Sequence, residues 1–211
     1  MNFTFGIITN GSNDHLLKKT VDSIRCLGIP NHEIIIVGNT NVIADNNISF
    51  DETVKPMWIT KKKNIITNSA SYDNIVYLHD YFLFDSKWYD GFIHYGDNFA
   101  VCMNKIINID GTRFRDWCMI ETSPELNNPK HCLLPYDILN QTRYMYISGS
   151  YWVAKRTVME EFPLDENLSW GESEDVVWSK QVSTKYNFSL NINSTVRLLK
   201  YKELYIDPWR G

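Results

Sequence analysis

The chain has 211 residues, of which 44% are hydrophobic, 14% aromatic and 22% charged, a composition that builds one packed core and excludes a disordered chain. A formal net charge of -4 and a sequence pI near 5.7 repel polyphosphate backbones, and the run Lys61, Lys62, Lys63 is too short to reverse that, so nucleic acid is excluded as a partner. Cys26, Cys102, Cys118 and Cys132 are scattered without a C-x-x-C pair, which argues against a zinc knuckle or disulfide framework and for a reducing, cytoplasmic compartment.

Met1 to Thr9 is too short and too alternating for a signal peptide, and no later apolar run approaches a membrane span. Phe3 to Thr9 predicts a strand, Asn10-Gly11-Ser12 a turn, and Asn13 to Gly28 a helix with Leu17, Val21 and Ile24 on one face. The β-branched run Glu33 to Gly38 predicts a strand covered on both faces, which completes a βαβ unit. A short strand over Met57 to Thr60, a helix over Lys61 to Ser71 and a buried strand over Asn74 to Leu78 continue the alternation. Ser86 to Tyr95 predicts a helix and Phe99 to Ile107 the next strand, giving an open α/β sheet.

From Asp110 to Arg143 periodicity fails and prolines interrupt, which predicts a long functional loop. Tyr144 to Ala154 reads as one strand around Ser148-Gly149-Ser150, followed by a short helix from Arg156. Ser173 is the expected N-cap of a helix reaching about Tyr186, and Phe188 to Ile192 and Thr195 to Leu199 read as two closing strands.

Ligands of open α/β sheets gather at the carboxyl ends of strands, where Thr9-Asn10-Gly11, Gly38-Asn39 and His79-Asp80 fall. Asn39 offers a donor and an acceptor suited to a uracil edge, although each site alone is equally well explained as turn chemistry. A carboxylate at the exit of a buried strand, Asp80, can hold a hard divalent ion against a diphosphate; the plain alternative is a strand-ending Asx turn. Lys63 and Asn64, at a predicted helix start, suit phosphate oxygens, or else form a solvated basic patch. Trp170-Gly171-Glu172-Ser173-Glu174-Asp175 sets carboxylates beside an aromatic face, as a sugar site needs, and equally as a capped helix start does.

In this order, Ile-Val-Gly-Asn, the Lys-Asn helix, Val-Tyr-Leu-His-Asp-Tyr, the stretch Tyr146 to Arg156 and Trp-Gly-Glu-Ser-Glu-Asp resemble the GT-A glycosyltransferases over nearly the whole chain. More narrowly the sequence resembles the amino-terminal glycosyltransferase domain of chlorella-virus enzymes that decorate a capsid protein with glycans. The resemblance implies a GT-A, Rossmann-like α/β fold with a mostly parallel mixed sheet, residues 1–107 binding the nucleotide-sugar and 108–211 the acceptor. It implies a UDP-sugar donor, a glycan acceptor, and Mn²⁺ or Mg²⁺. Thr9, Asn10, Gly11 and Asn39 would hold the nucleoside, Lys63 and Asn64 the ribose or phosphates, and Asp80 the metal, while Asp175, with Glu174 and Glu172 beside it, would face the acceptor and supply the base if the reaction inverts. The family's D-x-D signature is broken, since neither Leu78-His79-Asp80 nor Asp80-Tyr81-Phe82 carries both acids. His79 or Asp207 is then a further metal ligand, and Arg210 a residue closing over the diphosphate.

The expected activity is metal-dependent sugar transfer, and the rivals are a nucleotide-sugar-binding module without turnover and a sugar nucleotidyltransferase. The last wants a glycine-rich basic loop that Asn10-Gly11-Ser12 does not make. Trp88, Tyr89, Phe92, Ile93 and Tyr95 in one helix raise peripheral membrane contact beside a core role. The end at Trp209-Arg210-Gly211 lacks a terminal tail, as in one domain of a longer protein.

Overall fold

The structure, a computed structural model, describes residues 1–121, 130–139, 144–204 and 207–208. Strand β1 (Phe3–Ile8) leads through helix α1 (Asp14–Arg25) to β2 (His32–Val37), which pairs with it in parallel, Phe5 opposite Ile34. Helix α1 buries Leu17, Thr20, Val21 and Ile24, the stripe that 3.6-residue spacing puts on one side. A short β3 (Asn46–Ile48) follows, then α2 (Ile59–Ser69), β4 (Asn74–His79), β5 (Phe82–Phe84), α3 (Trp88–Tyr95) and β6 (Val101–Ile107). The second half adds β7 (Cys118–Glu121), β8 (Lys130–Leu133), β9 (Met145–Tyr146), β10 (Tyr151–Lys155), α4 (Arg156–Glu161), α5 (Glu174–Val182), β11 (Phe188–Leu198) and β12 (Asp207–Pro208).

Among the described residues eight strands form one mixed sheet in the order β3-β2-β1-β4-β10-β6-β11-β5. Its first four strands are parallel, and β10 runs antiparallel between β4 and β6. The uninterrupted apolar runs have a direct cause: successive side chains point to opposite faces, and both faces are covered. Phe3, Phe5 and Ile7 of β1 join Ile34, Ile36, Val76 and Leu78 in a core with α1 and α3. Ile8, Ile35, Val37, Ile75 and Tyr77 fill the other core, with Ile66 of α2, Val158 of α4 and Trp178 of α5.

Several sequence expectations are corrected. Met57 to Thr60 is no strand: Met57 has a positive φ of 52° and α2 starts at Ile59. The strand beside β2 is instead β3, whose Asn46 and Asn47 are exposed and so leave no apolar trace. The long loop of 110–143 contains β7 and β8, which with β9 and β12 form a second, four-stranded sheet. Tyr144 to Ala154 splits, β9 in the small sheet and β10 in the large one, because the chain turns at Gly149 and Ser150. The two closing runs are one strand, β11, with a register shift between Asn191 and Thr195. Ser173 has left-handed backbone (φ 59°) and makes no side-chain cap bond. The aromatic face of α3 is its core face: Trp88 and Phe92 are fully buried, and Trp88 Nε1 donates to Tyr151 Oη at 2.9 Å, so only Ile93 of the suspected membrane patch is exposed.

Candidate active site

Because β1, β2 and β4 run parallel, their carboxyl ends open on the same edge of the sheet. Thr9, just past β1, donates its hydroxyl to Asp80 Oδ2 at 2.6 Å and accepts the Gly11 N–H at 3.0 Å. Gly11 takes a φ of +78°, and a Cβ there would lie 2.4 Å from the Asn39 carbonyl oxygen, so only glycine lets the turn pass so close to the end of β2. Between them opens a cavity of about 480 Å³ lined by Gly11, Asp14, Gly38, Asn39, Thr40 and Ser49. Asn39 borders it, but its amide is engaged within the chain: Nδ2 donates to Phe50 O at 3.0 Å, and Oδ1 accepts the Ser49 hydroxyl at 2.8 Å. Asn10 likewise turns its side-chain oxygen to Ser12 N at 3.1 Å.

A neighbouring cavity of about 310 Å³ is lined by Thr9, Lys62, Asp80, Trp170, Lys200 and Lys202, and Asn10 and His79 also border it. Asp80 is only 6% exposed. Burial pushes its pKa up, against the Thr9 hydroxyl bond and the charges of Lys200 and Lys62, which favour the carboxylate. Burial drives His79 well below the usual histidine range, helped by Lys63, Lys202, Lys200 and Lys62, so the imidazole is neutral at pH 7. The side chain of Asp207 and all of Arg210 lie outside the described residues.

The three lysines of α2 separate, because successive residues of a helix point about 100° apart. Lys61 pairs with Glu166 at 2.8 Å. Lys62 reaches the second cavity, donating to Thr9 O at 2.7 Å and pairing with Glu52. Lys63 is 1% exposed, donates to Gly149 O at 2.7 Å, lies 3.6 Å from Glu174 and stacks 4.5 Å over Trp152. Burial lowers its pKa, opposed by Glu174 and Asp175. Asn64 exchanges bonds with Leu164, at 2.8 Å and 3.0 Å. Neither Lys63 nor Asn64 borders the cavities, and the lysine that does is Lys62.

Asp175, 9% exposed, accepts Gly149 N–H on Oδ2 and Val176 N–H on Oδ1, each at 2.9 Å. Burial and the adjacent Glu174 raise its pKa. A Cβ on Gly149 would lie 2.8 Å from Glu174 Oε1 and 3.0 Å from Asp175 Oδ2, so the absence of a side chain is what lets both acids close on this turn. The same turn touches β4, since His79 N–H donates to Ser150 O at 3.2 Å. Glu172 bends back to the Ser169 N–H instead of joining the pair. Trp170, 63% exposed, borders the second cavity because its loop is held to the 55–61 region: Lys55 donates to three carbonyls, of Glu166, Asn167 and Leu168, and Trp58 Nε1 donates to Glu166 O.

Reading by spacing chose Lys63 over Lys62 of the same run and singled out neither Lys200 nor Lys202, which border the second cavity. Lys62 was open to a helical-phase argument, whereas Lys200 and Lys202 follow an apolar strand with no local mark of a site.

The chain matches no protein-family model and no curated protein sequence. Among solved structures it is similar to S. aureus TarS residues 1–349, with a TM-score of 0.62 and 12% identity over 94% of this chain and 60% of that one. A longer S. aureus TarS structure gives 0.63 and 13% over 94% of this chain and 36% of that one. GalNAc-T7, solved with UDP, GalNAc and Mn²⁺, gives 0.61 and 14% over 96% of this chain and 44% of that one. The chain has the GT-A glycosyltransferase fold. It spans 36% to 60% of the length of these structures.

The donors at this edge of the sheet, the Asp80 carboxylate and the His79 imidazole, are of the type a divalent ion accepts when ligand phosphates and water complete its shell. No group of three or more His, Cys, Asp or Glu among the described residues forms a closed cage. Mg²⁺-type ions do not require one, because one or two carboxylates, substrate phosphates and water complete their oxygen shell. Asp80 offers that carboxylate at the cavity, with its second oxygen held by Thr9 and the neutral His79 beside it.

Proposed function

We propose that the chain transfers a sugar from a UDP-sugar to a hydroxyl of a glycan acceptor, with Mn²⁺ or Mg²⁺ held by Asp80 and assisted by His79. The observation that carries this reading is the bond between Thr9 and Asp80, which joins two parallel strand ends beside adjoining cavities of about 480 and 310 Å³. The nucleoside takes the larger cavity, against Gly11 and the Asn39 backbone, and the diphosphate the smaller one, beside Asp80. When bound, the ion supplies charge that offsets the negative charge growing on the departing UDP. Thr9 holds Asp80 in place and favours its charged form. Trp170 offers a ring face to a sugar.

On the acceptor side we assign the proton-accepting role of an inverting reaction to Glu174, because Asp175 already receives two backbone N–H groups and Glu172 turns away. Asp175 then positions the Gly149 turn. The sequence resemblance to chlorella-virus enzymes supports a capsid glycan as acceptor and the host cytoplasm as the place of action.

The test is release of UDP from a panel of UDP-sugars with Mn²⁺, by the wild type and by Asp80→Ala. Release by the wild type, lost in Asp80→Ala with an unchanged melting temperature, is the expected result. Full turnover by Asp80→Ala removes the metal role. Mn²⁺-linked UDP binding with no release from any donor supports the second reading, a binding module, which the single acid of the broken D-x-D signature favours.

A further inference from the structure

We propose that Lys200 and Lys202 form a clamp for the donor diphosphate, a source of positive charge independent of the divalent ion; this rests on the nucleotide-sugar reading of the site. Both lysines border the cavity that holds Thr9 and Asp80. Their backbone is pinned from two sides. Leu199 N–H donates to Tyr81 O at 2.8 Å, and the buried Asn108 accepts Lys202 N–H at 3.0 Å while donating to Lys202 O at 2.6 Å. The segment after β11 is thereby fixed against the β4–β5 turn and the end of β6, so the two ammonium groups are presented by a held backbone.

Their surroundings call for an anion. The third lysine of the cavity, Lys62, is paired with Glu52. Among the described residues neither Lys200 nor Lys202 forms an ion pair with a carboxylate. Both instead gather on Tyr81: Lys202 Nζ donates to its hydroxyl at 2.8 Å, and Lys200 Nζ lies 4.0 Å from its ring centre. A ring face attracts cations without cancelling their charge. Two half-buried ammonium groups on one ring repel each other, and Arg115 adds to the field on Lys202. Asp80 lines the same cavity, yet it is buried and already bonded to Thr9. A diphosphate entering this cavity meets both ammonium groups at once, whereas a divalent ion entering alone meets repulsion from them.

Calorimetry with UDP, pyrophosphate and uridine, each in EDTA and in Mn²⁺, tests the clamp on the wild type, on Lys200→Gln/Lys202→Gln and on Lys200→Arg/Lys202→Arg. The expected result is wild-type binding of UDP in EDTA, weakened at least tenfold in the glutamine pair and kept in the arginine pair, with uridine binding equal in all three. Equal UDP affinity of the wild type and the glutamine pair in EDTA overturns the clamp, and so does UDP binding by the wild type only when Mn²⁺ is present; both leave the nucleotide reading standing. Pyrophosphate binding without any uridine or UDP preference assigns the lysines to a simple phosphate site and also overturns it. Failure of the wild type to bind UDP under either condition removes the nucleotide reading itself, and the clamp with it.

Discussion

Thr9 Oγ1 stands 2.6 Å from Asp80 Oδ2, so the residues that follow β1 and β4 are joined by a hydrogen bond to a buried carboxylate. Hydrogen bonds to charged groups contribute about 1.5–3 kcal/mol, enough for a ten- to hundredfold effect. Thr9→Val keeps the shape and removes the donor. Its expected outcome is a loss of at least tenfold in Mn²⁺-dependent UDP affinity, measured by calorimetry, with far-UV dichroism unchanged.

Gly149→Ala places a methyl group 2.8 Å from Glu174 Oε1 and pushes the acidic pair off the turn. Overpacking of this kind costs about 1–3 kcal/mol. The acceptor side is expected to suffer alone, so kcat for transfer falls while UDP affinity holds. Steady-state kinetics beside UDP titration separate the two, and a parallel loss of UDP affinity would contradict the division of labour between the donor cavities and the acidic turn.

Lys202 carries a pKa lowered to about 8, through burial first and then the charges of Lys200 and Arg115. Only its protonated form attracts a diphosphate, and a bound dianion raises its pKa. UDP affinity is therefore full below pH 8 and declines as pH rises above it. Titrations between pH 6.5 and roughly 9.5 are expected to show this decline in the wild type and a flatter profile in Lys202→Met.

Asp116 is fully buried and accepts from Ile106 N, Trp117 N, Arg113 Nε and Tyr136 Oη, tying β6 to the start of the small sheet. Removing the acceptor leaves the Ile106 and Trp117 N–H groups of these buried bonds unsatisfied, at about 1–3 kcal/mol each. Asp116→Ala is expected to lower the urea midpoint accordingly, and Asp116→Asn by less. A shift below about 1 kcal/mol would show that the network is not a structural hinge point of the second half.

The sequence by itself determined the βαβ opening, the buried strands of the first half and the acid at the exit of β4, because continuous β-branched runs and glycine stops are local signals that survive without knowledge of neighbours. Only the tertiary structure decided which groups face the cavities. The Lys61 to Lys63 run looks like one basic patch, yet its members turn to Glu166, Glu52 and Gly149, since helical phase and distant partners set their directions. The small sheet was hidden because two- and four-residue strands carry almost no periodicity and gain their stability from pairing with each other. Lys200 and Lys202 come to line the cavity of Asp80 across more than a hundred residues, held at Tyr81 and Asn108, a relationship fixed by strand order, on which local sequence has no hold.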